Sequence, residues 1–230
     1  MEISQVKIHK IKYIAAGLIG IAGLGLQQAK AGSITFNLTV PNAGISPYPG
    51  PYISVTVNRT SSTTATITFT SLSAAGNVYL MGDGASVAVN VNATSWTLGA
   101  PTGSNSGTGF SPGPYSNGGS GNVDGFGVLN QTINSFDGFT HSSSTISFTL
   151  TNTSGTWSSA ASVLVANANG AMAAAHIFVT TLPVKAANGA LATGFAANGG
   201  AGVPDGGTTV MLLGMALGAL GVVRRYLTSS

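Results

Sequence analysis

Apolar residues alternate with hydroxyl-bearing ones along much of this chain, and that period of two limits what it can fold into. Ile34, Phe36, Leu38 and Val40 are interleaved with Ser33, Thr35, Asn37 and Thr39. Ile53, Val55 and Val57 repeat the pattern, as do Ile67 and Phe69 between Thr66, Thr68 and Thr70. Val87, Val89 and Val91 form a further set, and Ile146, Phe148 and Leu150 the clearest later one. On an extended strand successive side chains point to opposite faces, so each run makes one apolar face and one polar face. Threonine and valine also favour strands, because their branched side chains pack well on a pleated surface. Short runs of this kind, separated by Gly, Asn and Ser, predict an all-β fold: an antiparallel β-sandwich or jelly roll. No segment of the middle keeps a sustained helical spacing; the alanine-rich stretch 160–175 comes nearest to one. Residues 32–202 are long enough for a single domain with a sizeable core.

Charge is scarce and unevenly placed. Only 6% of the 230 residues are charged, against about 25% in an average soluble protein. Six of the eight basic residues lie near the ends: Lys7, Lys10, Lys12, Lys30, Arg224 and Arg225. The middle holds Arg59 and Lys185 against Asp83, Asp124 and Asp137, a sum of 2 − 3 = −1. Binding to nucleic acid needs clustered cations that displace counterions from phosphates, so no nucleic-acid partner is expected. The absence of cysteine excludes disulfides, thiolate zinc sites and cysteine nucleophiles.

The N-terminus has the three parts of a secretory signal. Basic residues (Lys7, Lys10, Lys12) precede an uncharged apolar run from Ile14 to Leu26, and Ala29 and Ala31 flank Lys30 in an A-x-A pattern. A signal helix over 1–31, cleaved before Gly32 by the export machinery, is expected. The apolar run is 13 residues, shorter than the roughly 20 that span a bilayer.

The C-terminus has a second address. Val203-Pro204-Asp205-Gly206-Gly207 precedes an uncharged stretch, 208–223, and then Arg224-Arg225 five residues from the end. The stretch reads as a hydrophobic transmembrane helix with its basic end on the cytoplasmic side. Proline and glycine keep the preceding motif extended and accessible. This order resembles the C-terminal sorting signals of the PEP-CTERM class, in its VPDSG-CTERM variant. Val203, Pro204, Asp205 and Gly207 match the motif, and Gly206 stands where the motif has serine. The resemblance implies an exported protein that is held transiently in the membrane through its terminal helices. Cleavage near the motif by an exosortase-type membrane protease would then leave it at the cell surface or outside the cell. The class is associated with bacteria that make exopolysaccharide. Ala173–Ile177 followed by Thr193–Ala196 also resembles a segment that precedes the sorting tail in other members.

Within the middle, Asp83-Gly84, Asp124-Gly125 and Asp137-Gly138 read as tight turns, with aspartate bonding its own backbone and glycine accepting positive φ. No cofactor is expected. Calcium, which takes carboxylate and carbonyl oxygens, is the competing use of these aspartates, but neither an EF-hand nor a nonapeptide repeat is present. The stretch 99–122, rich in Gly, Ser, Asn and Pro, has no strand pattern and reads as one long loop. It carries Phe110 and Tyr115, while Tyr48 and Tyr52 sit in another Pro-rich loop. These four rings are the candidate glycan-binding residues; the competing reading is that they pack their loops down.

Catalytic patterns fail on mechanism. Gly109-Phe110-Ser111-Pro112-Gly113 has the G-x-S-x-G form. A nucleophile elbow, however, needs the N–H that follows the serine, and proline has none. Glycoside hydrolysis normally uses two carboxylates, and the middle has no glutamate and only three aspartates in turn contexts. His141 and His176 show no metal-ligand spacing. The expectation is a noncatalytic surface or matrix protein, structural or adhesive, with exopolysaccharide as partner through its Thr/Ser/Asn surface. A carbohydrate-binding module using the loop aromatics is the alternative, and a secreted hydrolase the more distant one.

Overall fold

The computed structural model describes residues 31–200. The chain enters through β1 (Gly32–Leu38) and crosses at Thr39 directly into β2 (Val40–Pro41). A Pro-rich loop leads to the long pair β3 (Ile53–Arg59) and β4 (Thr64–Ser71), then to the short β5 (Ser73–Ala74) and β6 (Asn77–Met81). Next come β7 (Asp83–Val89), β8 (Trp96–Leu98) and β9 (Thr102–Ser104), and the hairpin of β10 (Ser116–Val123) and β11 (Gly127–Ser135). β12 (Thr145–Asn152), β13 (Ala173–Thr181) and β14 (Ala192–Ala197) complete the set.

These strands form two sheets, and every strand pairing is antiparallel. Sheet A has the order β1-β3-β4-β12-β8, with β9 also on β12; sheet B has β10-β11-β7-β13-β14-β2, with β6 on β13 and β5 on β6. This is the expected all-β sandwich.

The alternation seen in the sequence builds its core. Val55, Val57, Ile67, Phe69, Ile146 and Leu150 of sheet A are buried against Met81, Val87, Val89, Ile133, Ile177 and Val179 of sheet B. Phe69 and Phe148 stack across β4 and β12 with ring centroids 6.3 Å apart. Each such side chain contributes roughly 1.5–3 kcal/mol when taken from water. Trp157, in the irregular segment after β12, is 2% exposed and closes one end of the core. Its indole N–H donates to the Asn92 carbonyl at 2.7 Å, which removes the cost of burying that donor.

Sheet B has apolar contacts on its other face as well. Ala88, Ala174 and Ala197 lie side by side on β7, β13 and β14. With Val123, Phe126, Leu129 and Ala171 they form a second, smaller buried cluster. Alanine leaves room for Phe126, which the turn Asp124–Phe126 of the β10–β11 hairpin delivers fully buried. Asn167 fastens the covering segment: its amide donates to the carbonyls of Phe126 and Val128, both at 2.9 Å. Its side-chain oxygen accepts the backbone N–H groups of Asn169 and Ala171.

Two expectations need correction. The stretch 99–122 is not one loop: it contains β9, paired with β12, and most of β10, paired with β11. Glycine and serine give no apolar face, so the period that marks other strands is invisible there. Glycine is instead required by close approach, since a Cβ at Gly118 would stand 2.2 Å from the Thr132 hydroxyl. The Asp83-Gly84 pair is not a hairpin turn either; it opens β7 in an irregular register against β11. The stretch 160–175 is a 3₁₀ turn (Ala160–Ser162), a loop and the start of β13. Asp124-Gly125 is the hairpin turn expected, and Asp137-Gly138 is a bend before the 3₁₀ turn Phe139–His141.

Candidate functional site

The outer face of sheet A follows from the same alternation as its inner face. With Ile67 and Phe69 turned inward, Thr66, Thr68 and Thr70 must turn outward, and the register sets them beside equivalents on each neighbour. One row across the sheet reads Thr35, Thr56, Thr68, Ser147, Thr102. The next reads Asn37, Ser54, Thr70, Thr145, Ser104. Hydroxyls bond along these rows: Thr35 to Thr56 at 3.0 Å, Thr68 to Ser147 at 3.0 Å, Thr66 to Thr149 at 3.3 Å. Each hydroxyl has one proton and two lone pairs, so a row-bonded hydroxyl still accepts from, or donates to, an outside group. No ionisable residue lies at an outward position of these strands; Arg59, the one charged residue on sheet A, faces inward and is 1% exposed. The surface is a wide, neutral array of hydroxyl, methyl and amide groups.

The four loop aromatics do not form a platform. Tyr52 is 1% exposed and belongs to the core, edge-on to Tyr79 at 4.8 Å. Its hydroxyl donates to the Tyr48 carbonyl at 2.6 Å, and Tyr79 bonds the Pro49 carbonyl. Burial raises the pKa of both phenols. Tyr48 is half-buried against the same core. Tyr115 is half-buried and bonded to Ser143, with its pKa raised by burial and opposed by that hydrogen bond. Phe110 packs edge-on to Phe139 at 5.3 Å. As a glycan-stacking candidate Tyr52 is therefore corrected, being fully buried, while Tyr48, Phe110 and Tyr115 are held half-buried as anchors of their loops, because an apolar ring gains more from burial than from solvent.

A row of aromatic rings runs from the loops onto β13 and β14 of sheet B. Phe110, Phe139, Phe178, His176 and Phe195 contact one another in sequence, ending with His176 stacked on Phe195 at 4.3 Å. His176 and Phe195 are cross-strand partners on β13 and β14, so the two segments noted upstream of the sorting motif are one hairpin. His176 Nδ1 lies 3.2 Å from the Gly84 carbonyl and Nε2 2.7 Å from the Thr193 hydroxyl. A carbonyl only accepts, so Nδ1 carries the proton; the neutral ring then accepts from Thr193 through Nε2. Burial lowers the His176 pKa, against smaller raising effects of Asp83 and the Gly84 carbonyl. The backbone beside it is strained, with Asp83 at φ 65° and Ala85 at φ 50°. Asp83 bonds its own neighbour's N–H, that of Gly84, at 2.9 Å, and Phe136 beside them is 63% exposed. The exposed ring of this surface is thus Phe136, which no sequence pattern singled out.

His141 lies on the 3₁₀ turn with Nδ1 2.7 Å from the Gly113 carbonyl. That bond fixes the Gly109–Gly113 segment, whose Ser111 has no histidine among its described hydrogen-bond partners. Among the described residues no three His, Cys, Asp or Glu side chains gather as a metal site, and no helix is long and apolar enough to cross a membrane. The signal helix, with Ala29 of its cleavage site, the transmembrane helix at 208–223, and Val203, Pro204, Asp205, Gly206, Gly207, Arg224 and Arg225 lie outside the described residues.

Comparison with known proteins assigns the tail. Residues 202–227 match the family described as VPDSG-CTERM motif. The chain thus joins an antiparallel β-sandwich to a C-terminal sorting signal of the PEP-CTERM class. Such a signal indicates an exported protein, transiently anchored in the membrane and processed by an exosortase-type membrane enzyme. No curated protein and no solved structure matches the chain significantly.

Proposed function

We propose that the protein is a noncatalytic component of the cell surface or extracellular matrix, and that the outer face of sheet A adheres to neutral, hydroxyl-rich polymer such as exopolysaccharide. The observation that carries this reading is the uncharged Thr/Ser array, regular across β1, β3, β4 and β12. A polyhydroxyl chain exchanges hydrogen bonds with water for hydrogen bonds with such a face at little net cost. Each bond is worth only about 0.5–1.5 kcal/mol, so affinity comes from many weak contacts along one polymer. The absence of outward charge on this face makes a polyanion an unfavoured partner, because no counterions are released.

The test is retention on the host's own polysaccharide, with the processed protein collected from the medium or envelope. Replacing Thr56, Thr68 and Thr149 together by valine keeps shape and strand propensity but removes three hydroxyls. Retention is expected to fall by about tenfold, from roughly 0.5 kcal/mol per lost bond. Unchanged retention in the triple variant overturns the assignment of the binding face. Loss of retention on Phe136→Ala instead would move the site to sheet B.

A further inference from the structure

The borders of the two sheets are finished in different ways, and the β6 branch of sheet B ends on the two-residue β5. At one border of sheet A, β8 and β9 are three residues each. At one border of sheet B, β10 is broken by two register shifts and carries Gly118, Gly119 and Gly121. At the other, β2 is two residues long and contains Pro41, and the Asn42 side-chain oxygen accepts the backbone N–H of Phe195 on β14 at 2.9 Å. Shortness, bulges and proline are the devices by which sheet edges avoid pairing with other chains. β1 uses none of them. It has seven residues, GSITFNL, in unbroken register with β3, without charge or proline. Among the described residues no strand pairs with its outer side.

Two further features belong to this edge. Ile34 and Phe36 point into the sandwich yet remain only half-buried at its margin, so apolar surface is left for another strand to cover. The outward side chains, Ser33, Thr35 and Asn37, are small, neutral and exposed. Nothing along β1 repels an identical strand. Antiparallel pairing of a strand with itself is closed by a two-fold axis and needs no second kind of surface.

We propose that β1 is the self-association edge of the mature protein: two copies join β1 to β1 in antiparallel register and fuse their A sheets. An axis through Thr35 sets Thr35 opposite its equivalent and Ser33 opposite Asn37. The two hydroxyl arrays then run on as one surface of doubled width, with many more contacts for a single polymer. Signal cleavage before Gly32 makes β1 the N-terminal strand, so the edge is presented once export processing is done. This deepens the proposal of a structural, adhesive protein and rests on it for its purpose, although the edge itself is argued from β1 alone.

The experiment is sedimentation velocity of the processed protein over a wide concentration range, beside the variants Ser33→Lys, Thr35→Lys and, as a control on the opposite border, Thr97→Lys. Wild type and Thr97→Lys are expected to pass from monomer to dimer together. Thr35→Lys is expected to weaken association by about fivefold or more, through like charges set directly opposite each other across the new ladder; Ser33→Lys, whose lysine would face Asn37 of the second copy, is expected to weaken it less. Hydrogen exchange of the wild type provides a reading that needs no variant: outward amides of 32–38 gain protection as concentration rises. A wild type monomeric at every concentration, edge variants that associate as well as wild type, or a control weakened equally each overturns the proposal. Assembly that survives the edge lysines leaves the structural reading standing and removes only the edge. Loss of polysaccharide retention with dimerisation intact does the reverse.

Discussion

Sheets A and B share antiparallel pairing and a common core, yet they are built on opposite plans. Sheet A keeps its register from β1 through β12, buries one face and presents hydroxyls on the other. Sheet B is bulged in β10 and at the start of β7, and it buries apolar groups on both faces. Where one face must meet solvent, strict alternation is enforced and a slip of one residue would invert the sheet. Where both faces are covered, alternation is released; small residues such as Ala88, Ala174 and Ala197 then set how closely the covering segment approaches. Regularity belongs to the sheet proposed to bind, irregularity to the sheet that holds the loops.

Four measurements would break or sharpen that contrast. The largest effect is expected at Phe69, buried in the shared core and stacked on Phe148. Phe69→Ala should lower stability by about 3–5 kcal/mol in urea unfolding, and a loss below 1 kcal/mol would mean the sheets do not share a packed core. Ala174→Leu comes next, at about 1–3 kcal/mol from overpacking beneath Phe126. If leucine is tolerated there, the outer side of sheet B is not a second core and the contrast collapses. Asn167→Ala is expected to cost a similar or slightly smaller amount, about 1–3 kcal/mol, by leaving the Phe126 and Val128 carbonyls without their donor. Hydrogen exchange around 126–128 should rise with it.

The smallest effect is a pH slope. The pKa of His176 is lowered in the folded state, so below the ordinary histidine value near 6.5 the unfolded chain takes up the proton first. Stability is then expected to fall as pH drops below that value and to level off below the folded pKa. Above it His176 has no effect. Comparing melting temperatures of wild type and His176→Gln between neutral pH and pH 5 isolates this slope; identical slopes would show that the ring is not held neutral by its surroundings.

Much of this was legible in the chain. Ile34, Val55, Ile67, Phe69 and Phe148 announce both their strands and their inward direction, and the hydroxyl face is the complement of that pattern. The turn at Asp124-Gly125 was legible from residue chemistry. β10 was not, because SNGGSGNV has no apolar face to alternate; its pairing with β11 rests on backbone bonds and on polar side chains such as Gln131, which donates to Asn117. Asp83-Gly84 carries a turn signature but serves as an irregular strand start, because β11 and β13 pin its neighbours on both sides. Tyr52 and Phe110 looked available in Pro-rich loops; their burial depends on where Tyr79 and Phe139 stand, which local sequence does not encode.

By itself the sequence determined the strand period, the polarity of each face, the scarcity of charge and the C-terminal address. These are properties of residues and near neighbours, and no partner is needed to read them. Tertiary structure alone decided which hydroxyls line up in rows, which aromatic rings are spent on anchoring and that Phe136 is left outside. It also decided that β1 lies at a border. Each of these depends on which distant strands become neighbours, and pairing between strands is settled only when both sheets close on one core.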